Sequence, residues 1–252
     1  MSGTVRFDFI HFMHYVHLPE NQKEFRSLWV DFPNKYFDPE RGRALYQRYL
    51  SELVLADTLG FDAIVVNEHH NTAYSMMPAP NLIAAALIPQ IKNAKICVWG
   101  TPPNLEYPNR LAEEYAMLDV LSGGRLEVAF PLGTGMEYWS NAINPATARE
   151  RYRESIDIIL QAWTQDGPTT YYGDFYTYRY LNPWPRPIQK PHPPATSWAP
   201  EVRKRSNSRP NSASAMRRCS SPKTGRPSST SNCAGARPST ATTSARSSFR
   251  CR

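Results

Sequence analysis

Phe61-Asp62-Ala63-Ile64-Val65-Val66-Asn67-Glu68-His69-His70-Asn71 sets a continuous apolar run directly against five polar residues. A short run that is apolar at every position predicts a strand buried on both sides, as parallel strands are when helices cover a sheet. Working outward, Arg43 to Leu59 carries Leu45, Tyr49, Leu53 and Ala56 on one helical face and closes at Gly60. Val5 to Ile10 reads as an earlier strand. Asn81 to Ile91 reads as a helix, Lys95 to Trp99 as a strand, Pro108 to Leu121 as a helix with Leu111, Tyr115 and Leu118 on its buried stripe, and Leu126 to Phe130 as a fourth strand. Asn144-Pro145 places a capping residue before a first-turn proline and opens a fourth helix running to about Trp163. Strand and helix alternating four times predict an α/β fold, a parallel sheet or (β/α) barrel. Thr169 to Pro187 is aromatic around Gly173-Asp174 and reads as a surface hairpin. Pro185, Pro187, Pro191, Pro193 and Pro194 form an extended lead-in after which no further strand is expected.

The charge is unevenly spread. Twelve of the 29 basic residues but one of the 22 acids, Glu201, lie in 195–252, so that segment carries +11 and residues 1–194 carry −4. The chain divides into a mildly acidic domain, 1–194, and a cationic Ser/Arg-rich tail, 195–252. The high isoelectric point therefore does not place a nucleic-acid surface on the folded part. The tail has 14 Ser and no Leu or Ile, too little apolar surface to offset the entropy of ordering it, and disorder is expected. One reading makes it an arm for RNA or other phosphates, since arginine forks bind phosphate without a fold. The favoured reading is a frameshift. Serine codons of the TCN type read one base early encode Phe, Leu, Ile or Val, and Ala199 to Met216 then becomes a Gly-rich turn and an amphipathic helix. No apolar run reaches the length of a membrane span and the first residues are no signal peptide, so a soluble, cytoplasmic protein is expected. Only Cys97 of the four cysteines lies in 1–194, without disulfide or zinc spacing.

In parallel α/β architectures the loops after the strands build the site. Asn67-Glu68-His69-His70-Asn71 after the second strand is the richest such exit. A single histidine there would usually be satisfied by loop backbone, but Glu, His, His and Asn together favour a site. Metal ligation by Glu68, His69 and His70 with His11 or His14 ranks lower, because adjacent histidines on an extended segment point to opposite sides and no carboxylate recurs at the later exits. Those exits, Gly100-Thr101-Pro102-Pro103-Asn104 and Pro131-Leu132-Gly133-Thr134-Gly135, suit close approach of backbone to a flat ligand. Phe9, Phe12, Trp99, Tyr138 and Trp139 are candidate apolar walls, with an ordinary core role at least as expected for Phe9 and Trp99.

Glu68-His69-His70, Pro80-Asn81-Leu82-Ile83-Ala84-Ala85-Ala86-Leu87, Tyr107-Pro108-Asn109-Arg110-Leu111-Ala112-Glu113-Glu114, Leu118-Asp119, Ser122-Gly123-Gly124-Arg125 and Gln189-Lys190-Pro191-His192-Pro193-Pro194 occur in that order. This succession, over about residues 5–194, resembles the bacterial luciferase-like flavin-dependent monooxygenases. The resemblance implies a (β/α)8 TIM barrel, here its N-terminal half plus the hairpin, binding reduced FMN at the C-terminal face and inserting one oxygen atom of O2 into a small organic substrate. It implies a separate flavin reductase and a homo- or hetero-oligomer. The family's histidine after the second strand falls on His69, which would stabilise the flavin peroxide and steer proton transfer. Cofactor contacts are expected from Trp99, Gly100, Thr101, Asn104, Leu132, Gly133 and Tyr138, and a phosphate contact from Arg151 or else Arg149. Phe12, His14, Glu68 and His70 would face substrate or the flavin edge. Luciferase carries Cys-Arg-Gly where this chain has Pro131-Leu132-Gly133, so one phosphate-binding arginine is absent. Strands and helices after the fifth are also absent, which makes the chain a truncated form expected to be inactive. A deazaflavin coenzyme used for hydride transfer is the alternative within the same barrel.

Overall fold

The computed structural model describes residues 5–198 and the backbone of 217–218. The expectations about the tail beyond Trp198 lie otherwise outside the described residues. Five parallel strands line up in chain order: β1 (Asp8–His11), β2 (Ala63–Val66), β3 (Lys95–Trp99), β4 (Leu126–Pro131) and, across a hairpin of β5 (Thr169–Tyr172) and β6 (Thr177–Leu181), β7 (Ala195–Trp198). Their registers include Phe9↔Ile64, Val65↔Cys97, Val98↔Val128 and Val128↔Ala195. A two-residue β8 (Arg217–Arg218) pairs antiparallel with β7. The expectation that no strand follows the proline-rich lead-in is corrected. The Pro194 carbonyl accepts the Val128 N–H at 2.9 Å and Ala195 is buried, so the extended prolines deliver the chain onto the free edge of β4.

Ile64, Val66, Ile96, Val98, Leu126 and Val128 pack with Leu53, Leu87, Tyr115 and Ile159 from the covering helices in one core. Helix α1 (Pro39–Thr58) begins four residues before the expected Arg43, because Asp38 caps it through the Arg41 N–H and Pro39 fits the first turn. Helix α2 (Pro80–Leu87) stops short of Ile91, and α3 (Pro108–Leu121) has the expected bounds. The short helix α4 (Gly135–Ser140) has no counterpart among the expected elements. A 3-10 turn at Pro145–Thr147 carries the Asn144 cap and leads into α5 (Ala148–Thr164). The expected hairpin is present, and Glu154 on α5 holds it by accepting backbone N–H groups of Asp174, Phe175 and Tyr176 at 2.7–3.3 Å.

Candidate functional site

The exits of β1 to β4 border an open cleft of about 500 Å³ lined by Ile10, Phe12, Asn67, Glu68, His69, Trp99, Gly100, Pro131, Leu132, Gly133, Thr134, Glu137 and Arg149. Two glycines shape it. A Cβ on Gly100 would lie 2.3 Å from the Glu68 nitrogen, so only glycine lets the ends of β2 and β3 come this close. Gly133 has φ +90°, a conformation side chains rarely adopt, and a Cβ there would crowd Tyr138 at 3.3 Å.

His69 stands at the cavity wall between rings. Phe12 stacks on it at 6.2 Å and 11°, while Trp29 and Tyr74 meet it edge-on at 5.0 and 5.2 Å. Its Nδ1 lies 3.1 Å from Glu137 Oε1. Glu68 pairs with His70 at 2.9 Å. Burial pushes the Glu68 carboxyl above its ordinary range, countered only in part by His70, while Glu68 raises His70. Both polar atoms of the Asn67 amide are buried without a hydrogen-bond partner. Among the described residues no cluster of three or more His, Cys, Asp or Glu converges as a metal site.

Of the residues singled out by sequence, Phe12, Glu68, His69, Trp99, Gly100, Leu132 and Gly133 meet in this cavity. Thr101 and Asn104 are buried behind it, and Tyr138 supports the wall by donating its hydroxyl to the Leu132 carbonyl at 2.9 Å. Arg151 is elsewhere: its guanidinium lies over the Tyr176 ring at 4.8 Å and its Nε donates to the Asn104 carbonyl, so the cation at the cavity is Arg149. His14 is exposed beside His11 and Tyr49, away from the cavity. His70 reaches the cavity only through Glu68. Phe9 packs on Phe61, and Trp139 is exposed, so neither is a wall. Sequence reading missed Glu137, Trp29 and Tyr74. Only Glu137 had a signal, the Thr134-x-x-Glu137 spacing of a capping box.

Parallel strands whose C-terminal ends and following loops build a pocket are the layout of the functional face of a (β/α) barrel. Residues 36–203 match the family model described as luciferase-like monooxygenase, and the chain belongs to that family. The oxygenase component of the flavin-dependent trigonelline monooxygenase of Acinetobacter baylyi is 29% identical over 178 residues, 67% of this chain and 47% of that protein. Monooxygenase RslO1 from Streptomyces bottropensis superposes with a TM-score of 0.58 at 27% identity, covering 61% of this chain and 47% of that one. The oxygenating constituent of 3,6-diketocamphane monooxygenase from Pseudomonas putida, solved with FMN, shares the fold at a TM-score of 0.57 and 20% identity over 76% of this chain and 51% of its own. The chain spans about half the length of the curated relatives it matches. No helix among the described residues is long and apolar enough to cross a membrane.

Proposed function

We propose that this chain provides the flavin side of a monooxygenase in which reduced FMN, delivered by a separate reductase, reacts with O2 and a small organic substrate. The observation that carries this reading is the His69–Glu137 pair set into a cavity with flat apolar walls at the strand ends. The cavity's residues fit a flavin. Trp99, Pro131 and Leu132 offer faces for a planar ring, Gly100 lets the ends of β2 and β3 close up to form its floor, and Arg149 brings positive charge suited to a phosphate. Bound there, reduced flavin with O2 supplies the oxygen atom inserted into the substrate. The chain's own work is threefold: Phe12, Trp99, Pro131 and Leu132 present apolar surface to a bound ring, Glu68 and Asn67 offer polar groups that orient it, and His69 holds or moves a proton at Nε2.

Mixing the protein with saturating reduced FMN in the absence of oxygen, then adding O2 with a panel of organic substrates, tests this. Flavin binding followed by substrate-dependent oxygen uptake is expected of a form that carries all eight strands of the family's barrel. Hydride exchange with a reduced deazaflavin, without binding of reduced FMN, would instead assign the alternative coenzyme.

A further inference from the structure

Glu137 belongs to no motif that brought the site to notice, yet it is a buried carboxylate on the cavity wall. It occupies the third position of α4, with its side chain 7% exposed. Oε2 accepts the Thr134 N–H at 2.6 Å, and Oε1 faces His69 Nδ1 at 3.1 Å. Burial by itself would raise this carboxyl. The bonds from His69 and the Thr134 N–H more than reverse that and hold it below the ordinary glutamate range, so across neutral pH it is an ionised group that only accepts.

An acceptor-only oxygen faces a ring nitrogen favourably only when that nitrogen carries the proton. We infer that Glu137 is a positioning residue that locks His69 in its Nδ1–H tautomer and thereby leaves Nε2 as the proton-accepting atom at the cavity. The surroundings oppose escape. Phe12, Trp29 and Tyr74 contact the imidazole, and the His69 backbone N–H is bonded to the Met77 carbonyl at 3.3 Å. Flipping the ring would exchange Nδ1 for a carbon and lose the bond to Glu137. The tautomer stands on geometry alone; that Nε2 takes a proton during oxygen transfer rests on the proposed function.

Long-range proton–nitrogen correlation spectra of the full chain labelled with ¹⁵N-histidine read the tautomer directly. In neutral His69 the proton is expected on Nδ1. Glu137→Gln keeps an acceptor for the Thr134 N–H, so α4 stays capped, but it removes the charge-assisted bond and should move the tautomer ratio about tenfold toward Nε2–H. Under the proposed function the same variant should lower kcat roughly 10- to 100-fold with KM changed less than about twofold. An Nε2–H tautomer in the unaltered protein, or a Glu137→Gln spectrum identical to it, overturns the inference whatever the chain catalyses. The expected tautomer in a protein without flavin chemistry would keep the inference and sink only the function. If Glu137→Gln fails to fold, the unaltered protein's spectrum still decides.

Discussion

His69 reaches the cavity with one ring nitrogen tied to Glu137 and its faces held by aromatic rings. Such a side chain is built for proton handling more than for grip. In a form that carries the whole barrel, His69→Ala should therefore lower turnover by about 2–4 orders of magnitude, the usual span for a general acid or base, while flavin affinity changes much less. Rapid-reaction kinetics beside flavin titration separates the two, and equal losses would make His69 a binding residue. His69 and Glu68 were legible in the sequence because polar residues directly after a buried apolar run have few structural excuses. Glu137 was not, because six residues of α4 are too few for a helical period and its partner lies 68 residues away. Arg149 and Arg151 were separable only by the turn of α5, which sends one to the cavity and the other to Tyr176.

Two elements hang on single polar side chains. Asp57, near the end of α1, accepts the backbone N–H groups of Lys92, Asn93 and Ala94 at 3.0, 3.0 and 2.6 Å and so fixes the turn that enters β3. Burial works to raise its pKa, and the three donors overcome it, leaving the carboxyl below its ordinary value. That stabilisation is fully present above the unfolded carboxyl's pKa of about 3.9 and fades as pH falls through the lower folded value. Asp57→Ala should cost about 2–3 kcal/mol at neutral pH by stranding these donors, and should flatten the acid limb of stability below about pH 4. Urea unfolding across pH reads both, and a parallel acid limb in the variant would exclude the role. Gln189 does the corresponding job for the proline-rich lead-in: its backbone N–H and Nε2 bond the buried Asp119 at 3.0 and 2.7 Å, and Nε2 also bonds the Leu126 carbonyl at 2.7 Å. Gln189→Ala should cost about 1–3 kcal/mol and speed proteolysis between Pro185 and Pro194; unchanged cleavage would show that β4 holds β7 unaided. Strands β2 to β4 and helix α3 were readable because apolar runs and helical stripes carry strong periodic signals. Strand β7 was not, since Ala195-Thr196-Ser197-Trp198 has no apolar run and only pairing with β4 defines it.

The family's barrel closes with eight strands, and the parallel sheet described here has five. Arg6, Asp8 and Glu127 form an ion-paired group on its inner side, bordering a hollow with Ile10, Val65, Cys97 and Trp99. The phosphate sites of such barrels draw on turns after the seventh and eighth strands. The strand order has a consequence for how the molecule is made. Neighbours in the sheet are successive parallel strands in the chain, β1 to β4 and then β7, with no position left to be filled by a later insertion between them. Synthesis and sheet growth thus run in one direction. At roughly 5–20 residues per second, the thirty-odd residues from β2 to β3, and again from β3 to β4, leave the ribosome about every two to six seconds. Each strand from β2 onward arrives at a neighbour that is already made, and only β1 waits with both edges bare until β2 is translated.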